Sequence, residues 1–130
     1  MQNSEQELEE AKTVLRKEAI AIQDIANRLH SDAFCKSIDI LFKTHGKIVI
    51  TGIGKSGHVG KKMAAMLCST GSPTSYLHPS EAVHGDLGIH QEGDPVIYLS
   101  NSGTTPELIY LEPVFRARGA KIIGILGQIN

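Results

Sequence analysis

The sequence predicts an α/β domain in which a doubly wound parallel sheet follows a pair of N-terminal helices. From residue 47 onwards, short β-branched and apolar runs alternate with helical patterns, as they do when crossover helices connect parallel strands. Two of these runs end in turns that are rich in glycine and hydroxyl residues. Residues 4–46 instead carry apolar side chains at helical spacing.

Composition and charge indicate one ordinary globular domain over residues 1–130. Of the 130 residues, 41% are hydrophobic and 21% are charged, and the net charge is -1 with no basic cluster. This balance gives no electrostatic basis for binding nucleic acid or a membrane surface. No apolar run approaches the roughly 20 residues that span a bilayer, and the N-terminus lacks the order of a signal peptide. We therefore expect a cytoplasmic protein.

The helical pair is predicted over residues 4–46. The first helix, residues 4–29, has one apolar face, formed by Leu8, Ala11, Leu15, Ala19, Ile22, Ile25 and Leu29. The second helix has Ser31 as its N-cap and ends at Gly46, and it is expected to bury Phe34, Cys35, Ile38, Leu41 and Phe42. Because Cys35 and Cys68 lack a CxxC spacing, both are expected to pack as small hydrophobic residues.

The α/β part, residues 47–130, opens with a strand at 48–51 that is apolar on both faces, as a central parallel strand is. The glycine-rich turn 52–60 leads into a helix that is expected to bury Val59, Met63, Met66 and Leu67. A short strand is predicted at 75–77. The polar segment 78–95 exceeds the usual length of a connection and is predicted to be a functional loop.

The last predicted elements are a strand at 96–99, a helix at 106–118 and a buried strand at 122–126. Thr105 occupies the N-cap position of the helix, and Pro106 lies where a helix best tolerates proline. The final strand is expected at an edge of a four-stranded sheet. Such an edge indicates a fragment of a longer protein, or a domain that borrows structure from a partner.

In a doubly wound sheet, ligands bind beyond the carboxyl ends of the strands, where the turns 52–60 and 100–107 both lie. A helix N-terminus at that edge presents free backbone N–H groups and a partial positive charge to an anion. Hydroxyl donors are added, without charge, at Ser56, Ser100, Ser102 and Thr105. The pattern favours a phosphomonoester site; the alternative is that these residues only cap helices and shape turns.

Two nucleotide-binding motifs are only partly matched. Gly52-x-Gly54-x-x-Gly57 follows a strand as in dinucleotide-binding folds, but the second predicted strand ends without the acidic residue that holds the ribose. Gly54-Lys55-Ser56 resembles the end of a P-loop, yet Val49 stands where that motif needs its first glycine. We therefore expect no nucleotide cofactor.

Three ionisable side chains are candidates for chemistry. Lys55, in the glycine turn, is either a group that stabilises negative charge on a substrate or a solvated lysine. Glu107 is a candidate general base, although a first-turn carboxylate also stabilises the helix dipole. His84, within His84-Gly85-Asp86, is either a site histidine or a structural hydrogen-bonding residue. The histidine spacing matches no zinc site, so no metal is expected.

Three segments together closely resemble the sugar isomerase (SIS) domain of D-arabinose 5-phosphate isomerases: residues 52–58 (GIGKSGH), 78–88 (HPSEAVHGDLG) and 100–107 (SNSGTTPE). The likeness runs from about the first helix to the end of the chain. The Ser-Asn-Ser-Gly motif alone marks any SIS domain, whereas the full set with His-Gly-Asp is specific to the isomerase group. The resemblance implies a flavodoxin-like SIS fold that binds a phosphosugar.

The resemblance also implies a reaction: D-ribulose 5-phosphate and D-arabinose 5-phosphate interconvert through a cis-enediol, without a cofactor, as an entry step to Kdo for lipopolysaccharide. It implies substrate binding by Gly54, Ser56, Ser100, Asn101, Ser102 and Thr105. It implies catalytic roles for Lys55, Glu107 and His84. Thr104 departs from the family pattern, since many relatives have glutamate there.

In the family, two further catalytic candidates, a glutamate and a histidine, lie beyond the stretch matched here, as does a tandem CBS pair in many members. We therefore expect this chain to be a C-terminally truncated SIS domain without CBS domains. SIS relatives form dimers or tetramers, so a homo-oligomer is expected. Two alternatives stay open: a non-catalytic sugar-phosphate sensor, and an isomerase of a different phosphosugar.

Overall fold

The computed structural model describes residues 2–29 and 31–128, with the backbone alone at Gln2 and Ser31. The chain divides into two compact units, one up to Lys36 and one from Ser37 onwards. The first unit contains helix α1 (Gln2–Arg28) and the start of helix α2 (Ser31–Phe42). The second unit contains the end of α2 and then β1 (Ile48–Thr51), α3 (Lys55–Ser69), β2 (Thr74–Tyr76), α4 (Pro79–Val83), a 3₁₀ turn (Asp86–Ile89), β3 (Val96–Ser100), α5 (Pro106–Ala117) and β4 (Ile122–Leu126).

Helix α1 confirms the predicted first helix and begins two residues earlier than expected. Its polar faces carry short-range pairs, such as Lys12 with Glu9 at 2.6 Å. On its predicted apolar face, Leu8, Leu15, Ile22 and Ile25 are each more than half exposed, as is Leu29 directly after the helix. The amphipathic pattern therefore predicts the helix correctly, while the apolar face stays uncovered in the described chain.

None of the described helices is long and apolar enough to cross a membrane.

The expected burial of α2 is largely wrong. Phe34, Cys35, Ile38 and Phe42 are exposed, and only Leu41 packs, half-buried, against the sheet. The proposed capping by Ser31 concerns a side chain outside the described residues. Helical periodicity identifies an apolar face but does not state what covers it, which is why the burial was misjudged.

The four described strands form one parallel sheet in the order β2-β1-β3-β4. Val49 is in register with Val96, and Thr51 with Tyr98, so β3 continues two residues past the end of β1. Every residue of β1 and β3 is buried, as their two-sided apolar pattern predicts.

The edge strands depart from prediction. Strand β2 lies one residue earlier than expected, at Thr74–Tyr76. Strand β4 is at the predicted edge, but it is not buried: Ile122 and Ile123 are half-buried, and the strand is exposed from Gly124 onwards. Since β4 pairs only with β3 among the described strands, one of its sides lacks a neighbouring strand there.

Helices cover both faces of the sheet, which confirms the doubly wound prediction. On one face, residues of β1 and β3 pack with α4 and α5 in a cluster that includes Val49, Tyr98, Ala82, Leu108 and Phe115. On the other face, a second cluster joins alternate residues of the same strands to α3, including Ile50, Leu99, Ala64 and the half-buried Met63 and Leu67. Alternate residues of a strand point to opposite faces, so each central strand serves both clusters.

Helix α3 packs on the sheet through small residues. Gly57, Gly60 and Ala64 are buried, and a Cβ atom at position 60 would lie 3.1 Å from Ile50 Cγ2 and 3.2 Å from Leu99 Cδ1. This stripe turns Val59 and Met66 outward, so the prediction that they are buried is wrong. A hydrophobic pattern does not count glycine, yet glycine lets two backbones approach most closely.

Both cysteines are exposed, contrary to expectation. Cys68, in the last turn of α3, lies beside β2, with its Sγ 3.2 Å from the carbonyl oxygen and 3.3 Å from the backbone nitrogen of Thr74. Its thiol therefore interacts with the end of the helix–strand connection rather than with the core.

The segment 78–95 is more ordered than a loop. It contains α4 and the 3₁₀ turn. Ala82 is buried in the cluster on the α5 face of the sheet, and Leu87 and Ile89 pack against the same cluster. His78 is the N-cap of α4, and its Nδ1 accepts a hydrogen bond from the Ser80 backbone N–H at 3.2 Å. Apolar residues within the polar segment therefore fix most of its length to the sheet.

A buried polar network closes the amino edge of the sheet. Asp94 accepts hydrogen bonds from the backbone N–H groups of Lys47 at 3.1 Å and Gln91 at 3.0 Å, and its carboxylate lies 3.3 Å from Lys47 Nζ. The buried His90 donates from Nε2 to the Asp94 carbonyl oxygen at 2.9 Å and accepts from Arg118 Nε at 3.3 Å. Burial alone would raise the pKa of Asp94, but the two N–H donors and the Lys47 ammonium outweigh it and lower that pKa.

Replacing Asp94 by asparagine is expected to lower the free energy of unfolding by about 2–3 kcal/mol at neutral pH, because one backbone donor and the ammonium lose a charged acceptor. Since the pKa of folded Asp94 is lowered, its contribution is complete above the usual aspartate pKa and is lost as the pH falls through the lowered value. Denaturant unfolding at several pH values should therefore show the gap between wild type and Asp94→Asn closing on acidification. Asp39→Asn, in an exposed pair with Lys43, is the control, and an equal loss in both variants would contradict the assignment.

Candidate functional site

The strand order places a topological switch point between β1 and β3. From β1 the chain passes through α3 to β2 on one side, and from β3 it passes through α5 to β4 on the other side. The two connections leave in opposite directions and open a crevice at the carboxyl ends of the central strands. The glycine turn (residues 52–57) and the serine loop (residues 100–105) both lie at these ends, as predicted.

The glycine turn is held tightly at its start and open at its end. A Cβ atom at Gly52 would lie 3.0 Å from the Leu99 carbonyl oxygen and 3.2 Å from the Ser56 carbonyl carbon, so a side chain there would require the surrounding backbone to shift. Gly54 has φ 60° and is the N-cap of α3 without a side-chain capping bond. Helix α3 then begins at Lys55, and its first N–H groups have no intrahelical partner. The turn therefore directs an uncapped helix N-terminus toward the crevice end of β1.

The serine loop is organised by its own hydroxyl groups. The buried Ser100 Oγ accepts from the Gly103 backbone N–H at 3.0 Å and lies 2.9 Å from Thr105 Oγ1. The exposed Ser102 accepts from the Thr104 N–H at 3.2 Å. Thr105 is the N-cap of α5 by position, as predicted, but its hydroxyl pairs with Ser100 instead of capping the helix. The N-terminus of α5 therefore also remains uncapped by a side chain.

The end of β4 supports the serine loop from the other side. The Gly127 N–H donates to the Ser100 carbonyl oxygen at 3.1 Å. A Cβ atom at Gly127 would fall within 2.7 Å of the Asn101 carbonyl oxygen. Sequence reasoning did not single out Gly127; the available signal was a glycine directly after an apolar strand.

The predicted catalytic side chains are accessible. Lys55 is the first residue of α3, Glu107 is the second residue of α5, and His84 directly follows α4. All three are exposed, and within the described ranges their side chains form no hydrogen bond or ion pair. Ala82 packs in the same cluster as Leu108, so α4 lies against the first turn of α5 that carries Glu107. No group of three or more potential metal ligands occurs among the described residues.

The sequence also matches a known protein family. The SIS domain model matches residues 40–129. The chain belongs to the SIS domain family. The family predicted from the three sequence segments is thus confirmed.

Several known proteins are similar to this chain over most of its length. Arabinose 5-phosphate isomerase KdsD of Pseudomonas aeruginosa is 42% identical over 118 residues, which are 91% of this chain and 36% of that protein. GutQ of Salmonella typhimurium, also an arabinose 5-phosphate isomerase, is 39% identical over 76% of this chain and 31% of its own length. The structure of E. coli CFT073 c3406 in complex with arabinose 5-phosphate matches with a TM-score of 0.86 at 36% identity, covering 92% of this chain and 63% of that one. The chain thus spans about a third of the length of these curated relatives.

The hydroxyl network of the serine loop predicts unequal roles for its two serines in stability. Ser100→Ala should lower the free energy of unfolding of the SIS domain by about 1–3 kcal/mol, because the Gly103 N–H is left without its acceptor in a buried setting. Ser102→Ala, which removes a hydroxyl from an exposed position in the same loop, is the matched control and should cost clearly less. Denaturant unfolding measures both, and equal losses would show that the Ser100 bond does not organise the loop.

Proposed function

We propose that this SIS domain is the phosphosugar-binding part of an aldose–ketose isomerase that interconverts D-ribulose 5-phosphate and D-arabinose 5-phosphate. One observation carries the proposal: two uncapped helix N-termini and the serine loop converge on one switch point, in a chain 42% identical to an arabinose 5-phosphate isomerase. The c3406 complex with arabinose 5-phosphate, at a TM-score of 0.86, supports the same ligand class.

The phosphate group of the substrate is assigned to the crevice between the glycine turn and the serine loop. Backbone N–H groups at the starts of α3 and α5 supply partial positive charge without a counter-ion. Hydroxyl and amide donors complete the proposed site at Gly54, Ser56, Ser100, Asn101, Ser102 and Thr105. Ser100 and Thr105 already bond to each other at 2.9 Å, so a phosphate oxygen meets a preorganised pair of hydroxyls rather than two freely rotating groups.

The proposed chemistry is proton transfer next to a carbonyl. A base removes a proton from the carbon adjacent to the carbonyl group, and the C–H electron pair forms the double bond of a cis-enediol while the carbonyl π pair moves to its oxygen, which takes up a proton. The other enediol hydroxyl then loses its proton and becomes the new carbonyl, as a proton is returned to the neighbouring carbon. The ammonium of Lys55 stabilises negative charge on the enediol oxygens. Glu107 takes part in the proton transfer, and His84, beyond α4, supplies a second ionisable group. None of these side chains is engaged by another described residue, so each is free to meet the substrate.

The biological setting follows from the same proposal. D-arabinose 5-phosphate formed in the cytoplasm feeds the synthesis of Kdo for lipopolysaccharide. We also propose that the protein is a homo-oligomer, a dimer or a tetramer, because α1 and α2 expose apolar side chains such as Ile22 and Phe42 that association would cover.

A substrate panel tests the reaction in the full-length protein. Conversion of D-arabinose 5-phosphate to D-ribulose 5-phosphate is expected to exceed conversion of hexose and heptose phosphates, with ketose formation as the readout. Preference for a different phosphosugar would show that the proposed substrate is wrong. Binding of phosphosugars without any turnover would favour a non-catalytic sugar-phosphate sensor over an isomerase.

Glu107→Gln is expected to reduce kcat by at least about 100-fold, the usual scale for losing a proton-transfer group, while the dissociation constant for the phosphosugar changes only a few-fold. Glu112→Gln is the matched control, since it makes the same change on the same helix and disturbs only a pair with Arg116. Kinetics and titration calorimetry on the full-length protein provide both numbers. Near-normal turnover in Glu107→Gln would remove Glu107 from the mechanism.

A further inference from the structure

Tyr76 connects the edge strand β2 to the glycine turn. Its hydroxyl donates to the Gly52 carbonyl oxygen at 2.5 Å, across 24 positions of sequence. The ring packs against the α3-side cluster, and Lys61 Nζ lies 5.3 Å from its centroid. Burial raises the pKa of this hydroxyl, so it remains a protonated donor at neutral pH. A side chain from a neighbouring strand thus holds the first residue of the turn.

The space for this contact exists because residue 57 is glycine. A Cβ atom at Gly57 would lie 2.6 Å from the Tyr76 hydroxyl oxygen and 2.9 Å from the Gly52 carbonyl oxygen. Gly57 is the third residue of α3, so the hydroxyl lies under the first turn of that helix. The same turn carries Lys55 and Ser56. Tyr76 therefore contacts the loop at the point where strand β1 passes into helix α3.

The hydrogen bond also fixes the orientation of a peptide group. No cis peptide bond occurs in the described ranges, so the carbonyl of Gly52 and the N–H of Ile53 point in opposite directions from the same planar unit. With the carbonyl held toward Tyr76, the Ile53 N–H is directed away from it. Without the hydroxyl, the Gly52 carbonyl loses the hydrogen bond that fixes this orientation.

We infer that Tyr76 is a positioning residue: through the Gly52 carbonyl it holds the first turn of α3 in the orientation in which Lys55 and Ser56 meet the phosphosugar. The inference rests on the proposed function for its ligand, but the tether itself is a property of the loop. Its contribution is orientation, since Tyr76 touches the backbone of the turn and not the reacting groups.

The test compares Tyr76→Phe with Tyr98→Phe in the full-length protein. Both changes remove one hydroxyl from a tyrosine of the sheet, and Tyr98 OH is a buried oxygen without a hydrogen-bond partner among the described residues. Amide hydrogen exchange of residues 53–58 and steady-state kinetics with D-arabinose 5-phosphate are measured for each. Tyr76→Phe is expected to accelerate exchange in that segment at least about tenfold and to lower kcat/KM about tenfold. Tyr98→Phe should change neither quantity.

Unchanged exchange at 53–58 in Tyr76→Phe would overturn the tether, and faster exchange with unchanged kcat/KM would overturn the positioning role. Absence of turnover in the wild-type protein would instead overturn the proposed function, and the exchange comparison would still decide whether Tyr76 holds the loop. Gly57→Ala provides a second approach from the opposite side of the contact. Its effect on exchange should be smaller in the Tyr76→Phe background than in wild type, because one of its two steric conflicts is then removed; equal effects would count against the contact.

Discussion

The close pairing of β1 with β3 is the constraint on which the rest of the structure depends. Thr51, the last residue of β1, is in register with Tyr98, so β3 extends two residues further and its Leu99 lies beside the turn that follows β1. Gly52 then lies between the Leu99 carbonyl and the first turn of α3, where a Cβ atom would come within 3.0–3.2 Å of backbone atoms. Buried strands with helices on both faces leave only their ends for polar groups. The crevice is therefore a consequence of the sheet, and its chemistry is set by the two loops.

Much of this arrangement is predictable because it depends on strong local patterns. Two-sided apolar runs predict β1 and β3, and turn residues after them predict the two loops, since a parallel sheet brings successive carboxyl ends to one edge. The orientation of α3 could not be obtained in this way. Val59 and Met66 look like its core residues, but Gly57, Gly60 and Ala64 form the contact. Close backbone approach depends on the absence of side chains, which hydrophobic periodicity does not register.

The candidate site likewise combines positions that local sequence patterns predict with contacts that they do not. The positions of Lys55, Ser100, Thr105 and Glu107 relative to helix starts follow from sequence, because N-cap and turn preferences are local. The contacts of Tyr76 with Gly52 and of Gly127 with Ser100 join residues 24 and 27 positions apart. No local pattern marks Tyr76 as part of the site, and the local signal at Gly127 is only a glycine directly after an apolar strand. Thr105 bonds to Ser100 instead of capping the helix, and this contact also depends on how the loop folds back on itself.

Charged side chains pair with one another at the amino edge of the sheet but not at its carboxyl edge, so the first edge contributes to stability and the second is available for binding. At the amino edge, Asp94, Lys47, His90 and Arg118 satisfy one another within the chain. At the carboxyl edge, Lys55 and Glu107 have no ion-pair partner among the described residues, and the donors aimed into the crevice are neutral N–H and hydroxyl groups. Neutral dipoles held by the backbone and by Ser100, together with the ammonium of Lys55, leave the electrostatic demand of the crevice to be met by an incoming anion.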